Sequence, residues 1–136
     1  MTVGIKVGSI TDEIGTSDFF HAFFSTVSGR LEDRWGERFP SLMQLYTGSL
    51  PFNLTPAALA ELADIRSKLA VFSPDRVIWD LEDRAKMPPW GSDISTDITS
   101  LANYFVTSTG RDLIDLLQEA LEASRDEQQA AEIVRY

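Results

Sequence analysis

Val3-Gly4-Ile5-Lys6-Val7-Gly8, followed after a short interval by Ser17-Asp18-Phe19-Phe20-His21-Ala22-Phe23-Phe24, is the stretch on which the fold class turns. Val3, Ile5 and Val7 alternate with Gly4, Lys6 and Gly8, the period of a half-buried strand, although two glycines weaken it. Thr11 to Gly15 reads as a turn. Ser17 then stands at a helix N-cap position, with Asp18 just inside, where the helix dipole favours an acid. Phe20, Phe24, Val27, Leu31 and Trp35 recur at helical spacing and predict an amphipathic helix running to Gly36. Gly29 lies inside that helix and costs about 1 kcal/mol relative to alanine, so it marks a bend or a break.

Outward from this unit, Pro40 opens a short helix in which Leu42, Leu45 and Tyr46 share a face before Gly48. Gly48 to Asn53 reads as a loop. Thr55-Pro56 predicts a third helix start, with Leu59, Leu62, Ile65 or Arg66, and Leu69 inside and an Asp64–Lys68 pair outside. Ser73-Pro74 stops it. Arg76-Val77-Ile78-Trp79-Asp80 is β-branched and aromatic, a second strand candidate. Residues 81–96 read as an ordered but irregular loop, and Leu101 to Val106 fit either a helix end or a strand. Thr109-Gly110-Arg111-Asp112 resembles a capping box before a last helix with Leu113, Leu117, Ala120, Leu121 and Ser124 on its inner face. The tail from Asp126 is polar, then apolar at Ile133-Val134. No repeat and no linker separates domains, and regular βαβ alternation is missing. The expectation is one α+β domain over residues 1–136, three or four helices packed on a small sheet.

The 136 residues suit a single domain, and 43% apolar with 24% charged residues suits a globular one. The sequence contains no cysteine, which removes disulfides, thiolate metal sites and a cysteine nucleophile. One histidine, His21, rules out a site needing two imidazoles. A formal charge of −9 has the wrong sign for direct grip on nucleic acid phosphates. The opening residues lack a secretory apolar run, and no segment approaches the roughly 20 apolar residues that span a bilayer. A cytoplasmic address without membrane contact is the expectation.

Asp75, Asp80, Glu82 and Asp83 gather around the second strand candidate, with Asp93 and Asp97 beyond. Carboxylates at a strand end are what a magnesium site uses, because hard cations take oxygen ligands. Their spacing matches no specific metal loop, and the ordinary explanation is a solvated acidic turn. His21 sits beside Phe19, Phe20, Phe23 and Phe24, so packing explains it more simply than catalysis oriented by Asp18. No Gly-x-Ser-x-Gly elbow and no phosphate-binding glycine loop is present. No catalytic, cofactor-binding or metal residues are therefore assigned.

Asp112, Asp115, Glu119, Glu122 and Asp126 advance by three or four residues along one side of the last helix. Like charges so spaced repel by a few tenths of a kcal/mol per pair, and such a row either captures a basic partner or is merely solvated. Arg30, Arg34 and Arg38 read as an exposed helical face paired with Asp33 and Glu37. Trp90, held by Pro88-Pro89 and followed by Gly91, is either a rigid aromatic contact in a loop or a lid over the core. Trp35 and Trp79 belong to the core.

Val3-Gly4-Ile5-Lys6-Val7-Gly8-Ser9-Ile10, Arg34-Trp35-Gly36-Glu37-Arg38-Phe39-Pro40, Trp79-Asp80-Leu81-Glu82-Asp83, Pro88-Pro89-Trp90-Gly91, and Tyr104-Phe105-Val106-Thr107 leading to Gly110-Arg111-Asp112-Leu113 together resemble the bacterial immunity protein 70 family. The resemblance implies a small cytoplasmic protein of a polymorphic toxin system that binds and neutralises a cognate toxin domain without chemistry of its own. A nuclease with a basic cleft is the toxin class that the acid surplus suits. Expected contacts are Asp80, Glu82, Asp83, Trp90, Asp112, Asp115, Glu119 and Glu122. The competing classes are a divalent-metal hydrolase built on Asp80, Glu82 and Asp83, and an acidic adaptor or nucleic-acid mimic with no toxin partner. Oligomeric state stays open.

Overall fold

A computed structural model describes residues 1–136. The chain runs β1 (Thr2–Val7), β2 (Ile10–Thr16), α1 (Ser17–Leu31), α2 (Pro40–Thr47), β3 (Ser49–Leu50), α3 (Thr55–Leu69), α4 (Leu113–Glu127) and β4 (Ala131–Arg135), with single 3-10 turns at Phe52–Leu54 and Pro74–Arg76. The four strands form one antiparallel sheet in the order β2-β1-β4-β3. This is the α+β domain expected from the sequence, with four helices.

Strand β1 forms where the alternation places it, and Val3, Ile5 and Val7 are all buried. Its partner β2 occupies the segment read as a turn. The actual turn is Gly8-Ser9, where Gly8 adopts φ 60° and closes a two-residue hairpin with Val7 opposite Ile10. Between Val3 and Gly4 the register shifts, so Ile14 is the extra residue of a bulge. Ile14 is fully buried, while Ile10 and Thr11 are exposed and Asp12 and Glu13 half-buried, a mostly polar edge strand. That polarity is what made β2 look like a turn.

Thr16, one residue before the expected Ser17, caps α1: its Oγ1 accepts the Phe19 N–H at 3.1 Å. The helix ends at Leu31, short of Gly36. Glu32 explains the early stop, because its carboxylate accepts three backbone N–H groups, from Gly36, Arg38 and Phe39, at 3.1, 2.9 and 3.0 Å. The chain therefore folds back, and Arg34 and Arg38 lie in this connection and not on a continuous helical face. Trp35 returns as a half-buried side chain against Met43. Gly29 produces no break. A Cβ there would stand 2.3 Å from Ile78 Cδ1, so glycine permits close approach of the 78–81 segment to α1.

Helix α2 starts at Pro40, and its free Ser41 and Leu42 N–H groups are accepted by the Glu61 carboxylate of α3 at 3.2 and 3.0 Å. Thr55 is the first residue of α3 and not its cap; its hydroxyl donates to the Phe52 carbonyl. Asp112, and not Thr109, caps α4 by accepting the Asp115 N–H at 3.0 Å. All five residues expected on the inner face of α4 are buried. Gln128 then takes a left-handed conformation with φ 55°, which ends α4 and turns the chain into β4. The polar-then-apolar tail thus becomes an inner strand of the sheet, with Ala131 and Ile133 buried.

One oxygen of the α4 cap is badly placed. Asp112 Oδ1 is buried with no hydrogen-bond partner, and burial raises the Asp112 carboxyl above its usual pKa. A raised carboxyl stabilises the fold below the ordinary carboxylate range and loses that contribution as pH rises through the elevated value. Asp112→Ser retains one capping oxygen and discards the orphan, so near neutral pH it should match the parent stability. Asp112→Ala should lose about 1 kcal/mol with the cap. Denaturant unfolding of the two variants checks this, and equal losses in both would contradict it.

Candidate interaction surface

From Val77 to Asp112 the chain forms no helix and no strand, apart from one bridge between Val106 and Asp112. Arg76–Asp80, the expected second strand, does not form: Arg76 ends the 3-10 turn, the chain bends at Trp79, and no residue of the segment pairs with a strand. Both backbone groups of Ile78 go to one buried hydroxyl: Thr26 Oγ1 accepts its N–H at 3.0 Å and donates to its carbonyl at 3.1 Å. Ser25 Oγ accepts the Leu81 N–H at 3.1 Å in the same way. A helix side chain has replaced the sheet ladder, which no period-two pattern could announce.

Further along, the loop is held at its aromatic residues. Trp90 meets Trp79 edge-on at 5.4 Å, and its indole N–H donates to the Tyr104 hydroxyl at 2.9 Å. Phe105 inserts between Phe19 and Phe23. The Leu101 N–H donates to the Phe72 carbonyl at 3.0 Å, and Asn103 Oδ1 accepts the N–H groups of Thr99 and Ser100. Trp79 is buried as expected. Trp90 is 39% exposed and Met87 70% exposed. Trp90 therefore packs on the core through Trp79 and Tyr104 while part of its ring faces solvent.

His21 is the centre of a small polar cluster. Its Nε2 lies 3.3 Å from Asp80 Oδ1 and its Nδ1 2.6 Å from the Tyr46 hydroxyl, with the ring stacked on Trp35. The orienting carboxylate is thus Asp80, not Asp18. Lys86 Nζ approaches Asp80 Oδ2 at 3.4 Å. The Asp80 carboxyl is held below its usual range first by the Glu82 N–H, then by His21 and Lys86. Burial raises the Tyr46 phenol, which keeps it protonated. This cluster ties the 80–86 turn to α1 and α2, and no serine, threonine or cysteine nucleophile bonds to the imidazole.

The acidic candidates separate into two kinds. On α4, Asp115 pairs with Arg66 Nη2 at 2.5 Å, Asp112 lies 3.8 Å from Arg66 Nη1, Glu119 pairs with Arg111, and Asp126 pairs with Arg125. The row is largely neutralised within the chain; of its acids only Glu122 has no basic partner within 4.0 Å. In the loop, Glu82, Asp83, Asp93 and Asp97 are exposed, and none has a basic group within 4.0 Å. Asp80, Glu82, Asp83 and Asp93 do not converge either: no three carboxylate or imidazole groups stand close enough to share a cation. The arrangement expected for a metal hydrolase is not assembled.

The family model for immunity protein 70 matches residues 5–133, from within β1 to within β4. The chain belongs to that family. No curated protein and no solved structure matches it. The immunity protein 70 match includes the whole 77–112 loop. No helix of the chain is long and apolar enough to cross a membrane.

Proposed function

We propose that this member of the immunity protein 70 family binds a cognate toxin domain and neutralises it by occupancy, without turnover, in the cytoplasm of the producing cell. The observation that carries the reading is the ordered, irregular 77–112 loop, which presents Trp90 on one surface with the unpaired carboxylate of Asp93 and also carries the unpaired Glu82 and Asp83. Loops longer than about 12–15 residues without secondary structure are uncommon in compact domains and are usually functional or disordered. This one is pinned by buried hydrogen bonds, so it presents a fixed outline. A preorganised, partly exposed tryptophan is the residue type in which binding hot spots are enriched.

The contact set proposed is Trp90 with Glu82 and Asp83 at the centre and Asp80 behind them as support. Asp112, Asp115, Glu119 and Glu122 form a secondary face, because most of those charges are already answered by arginines. A basic toxin, such as a nuclease whose cleft holds phosphate, suits the unpaired loop acids and the overall charge of −9.

The test is association with the toxin domain encoded beside the gene. A stoichiometric complex should co-elute, and its on-rate should fall steeply with added salt, since steering between opposite charges is screened over roughly 10 Å at 0.1 M salt. Glu82→Lys with Asp83→Lys should slow association about tenfold, whereas Glu119→Lys should change it little. No complex at micromolar concentrations would end this reading. An effect confined to Glu119 would move the interface to α4.

A further inference from the structure

Between the C-terminal half of α1 and the loop segments 74–79 and 84–94 lies a partly enclosed groove of about 370 Å³. Val77, Trp79 and Tyr104 contribute to an apolar floor, and Arg30, Arg84 and Lys86 stand around it. This basic rim belongs to a chain with 21 acidic and 12 basic residues. Arg34, Arg66, Lys68, Arg111 and Arg125 each have a carboxylate within 4.0 Å. Arg30, Arg84 and the neighbouring Arg76 have none, as is also true of Lys6, Arg38 and Arg135, whereas Lys86 on the groove rim is engaged by Asp80 at 3.4 Å. Only at the groove do three unpaired arginines stand together.

These three guanidinium groups are near enough to repel. Burial, then Arg76 and Arg84, lowers the Arg30 pKa, with Asp75 offsetting part of the effect. Asp75 is the one acid in the groove lining, and its carboxylate is engaged by the Ser73 hydroxyl. Arg30 Nε donates to the Arg76 carbonyl at 2.9 Å, which fixes the plane of the guanidinium while its terminal amino groups bond to nothing in the chain. A fixed, unanswered guanidinium fork beside an apolar wall fits a tetrahedral or planar oxyanion attached to a flat body. Small-molecule sites have this volume range and this mixture of apolar lining with a few convergent charges.

We propose that the groove is a binding site for a small aromatic anion of the aryl phosphate type. The phosphate sits between Arg30 and Arg84, the ring lies against Trp79 and Tyr104, and Lys86 at the rim stays shared with Asp80. The site requires only the isolated protein, so its failure leaves the toxin-binding reading untouched, and the reverse also holds.

Phenyl phosphate is the probe, titrated into the full chain while tryptophan fluorescence is followed, because Trp79 lines the groove. A saturable one-to-one change is expected, with phenyl phosphate at least tenfold tighter than either inorganic phosphate or phenol. Arg30→Gln and Arg84→Gln should each weaken it by about tenfold or more, the effect of removing a hydrogen-bonded charge. Arg34→Gln, outside the groove, should leave it unchanged. Arg84 is exposed and unpaired, so its variant tests the site without endangering the fold. The proposal is overturned by absence of saturation at about 10 mM, well beyond any specific site. Phenol or inorganic phosphate binding as tightly as phenyl phosphate overturns it too, as does full retention of binding in both arginine variants. Binding of the acetylated, amidated tripeptide Glu-Asp-Glu in preference to phenyl phosphate would also overturn it, and would assign the groove to acidic side chains of a protein partner.

Discussion

Thr26→Val is expected to cost the domain about 3 kcal/mol, because it strands two buried backbone groups at about 1–3 kcal/mol each. Valine nearly matches threonine in shape, so the packing of α1 is kept and the loss is almost purely polar. Thr26 is fully buried, and its hydroxyl serves both the N–H and the carbonyl of Ile78. Water reaching a loosened loop would recover part of the penalty, which is why the expected total stays below the sum of the upper limits. Thr26→Ser keeps the hydroxyl and loses one methyl, so it should cost about 1 kcal/mol. Chemical denaturation gives both numbers, and amide exchange should show faster opening at Ile78 and Leu81 in the valine variant. A loss below about 0.5 kcal/mol, the ordinary range of surface substitutions, would mean that the hydroxyl does not hold this loop.

Trp90→Ala should weaken toxin binding by at least 2 kcal/mol, roughly thirtyfold, the level at which interface residues count as hot spots. The indole is preorganised by its edge contact with Trp79 and by the bond to Tyr104, so little side-chain freedom is lost on binding. Two further variants separate contact from scaffolding. Tyr104→Phe removes the hydrogen-bond acceptor and leaves the Trp90 ring in place; its effect on affinity should be small. Trp90→Phe keeps an apolar ring and should fall between the parent and alanine. Calorimetry on folded variants gives the affinities. A loss of less than threefold for Trp90→Ala would remove the loop from the centre of the interface.

Much of the scaffold was legible because it rests on local periodicity. The Val3-Ile5-Val7 alternation, the phenylalanine stripe of α1 and the inner face of α4 each report burial directly, and each is buried. What escaped reading depends on partners distant in sequence. Glu32 ends α1 by gathering backbone donors from the following turn, and Glu61 caps α2 from α3. Nothing in the local pattern of either glutamate distinguishes it from a solvated one. Ile78 has strand composition yet bonds to a threonine fifty-two positions earlier. β2 failed for the opposite reason: an edge strand with polar residues and a bulge shares its composition with a turn.

The surface was legible in inventory but not in state. The sequence marks Trp90, the 80–83 acids and the α4 row alike. Only the fold distinguishes acids with arginine partners from acids without them. Arg66 is the clearest case, since it comes from α3 and answers two carboxylates of α4. The reverse holds for the groove, whose two lining arginines come from α1 and from a loop segment that no spacing rule connects. His21 was likewise readable as a packed ring, while its bonds to Tyr46 and Asp80 depend on how α2 and the loop return to α1.

The strand order also has a bearing on how this protein comes into being. β1 lies between β2, its immediate successor, and β4, which begins only at Ala131. During translation β1 and β2 can close as a hairpin almost at once, but one flank of that hairpin stays open while nearly all the remaining chain is made. Pairings between such distant segments form slowly, since a large loop must close before they are rewarded. Until β4 is made, the growing polypeptide therefore carries that flank of β1 as an unpaired strand edge, the feature most open to pairing with another chain.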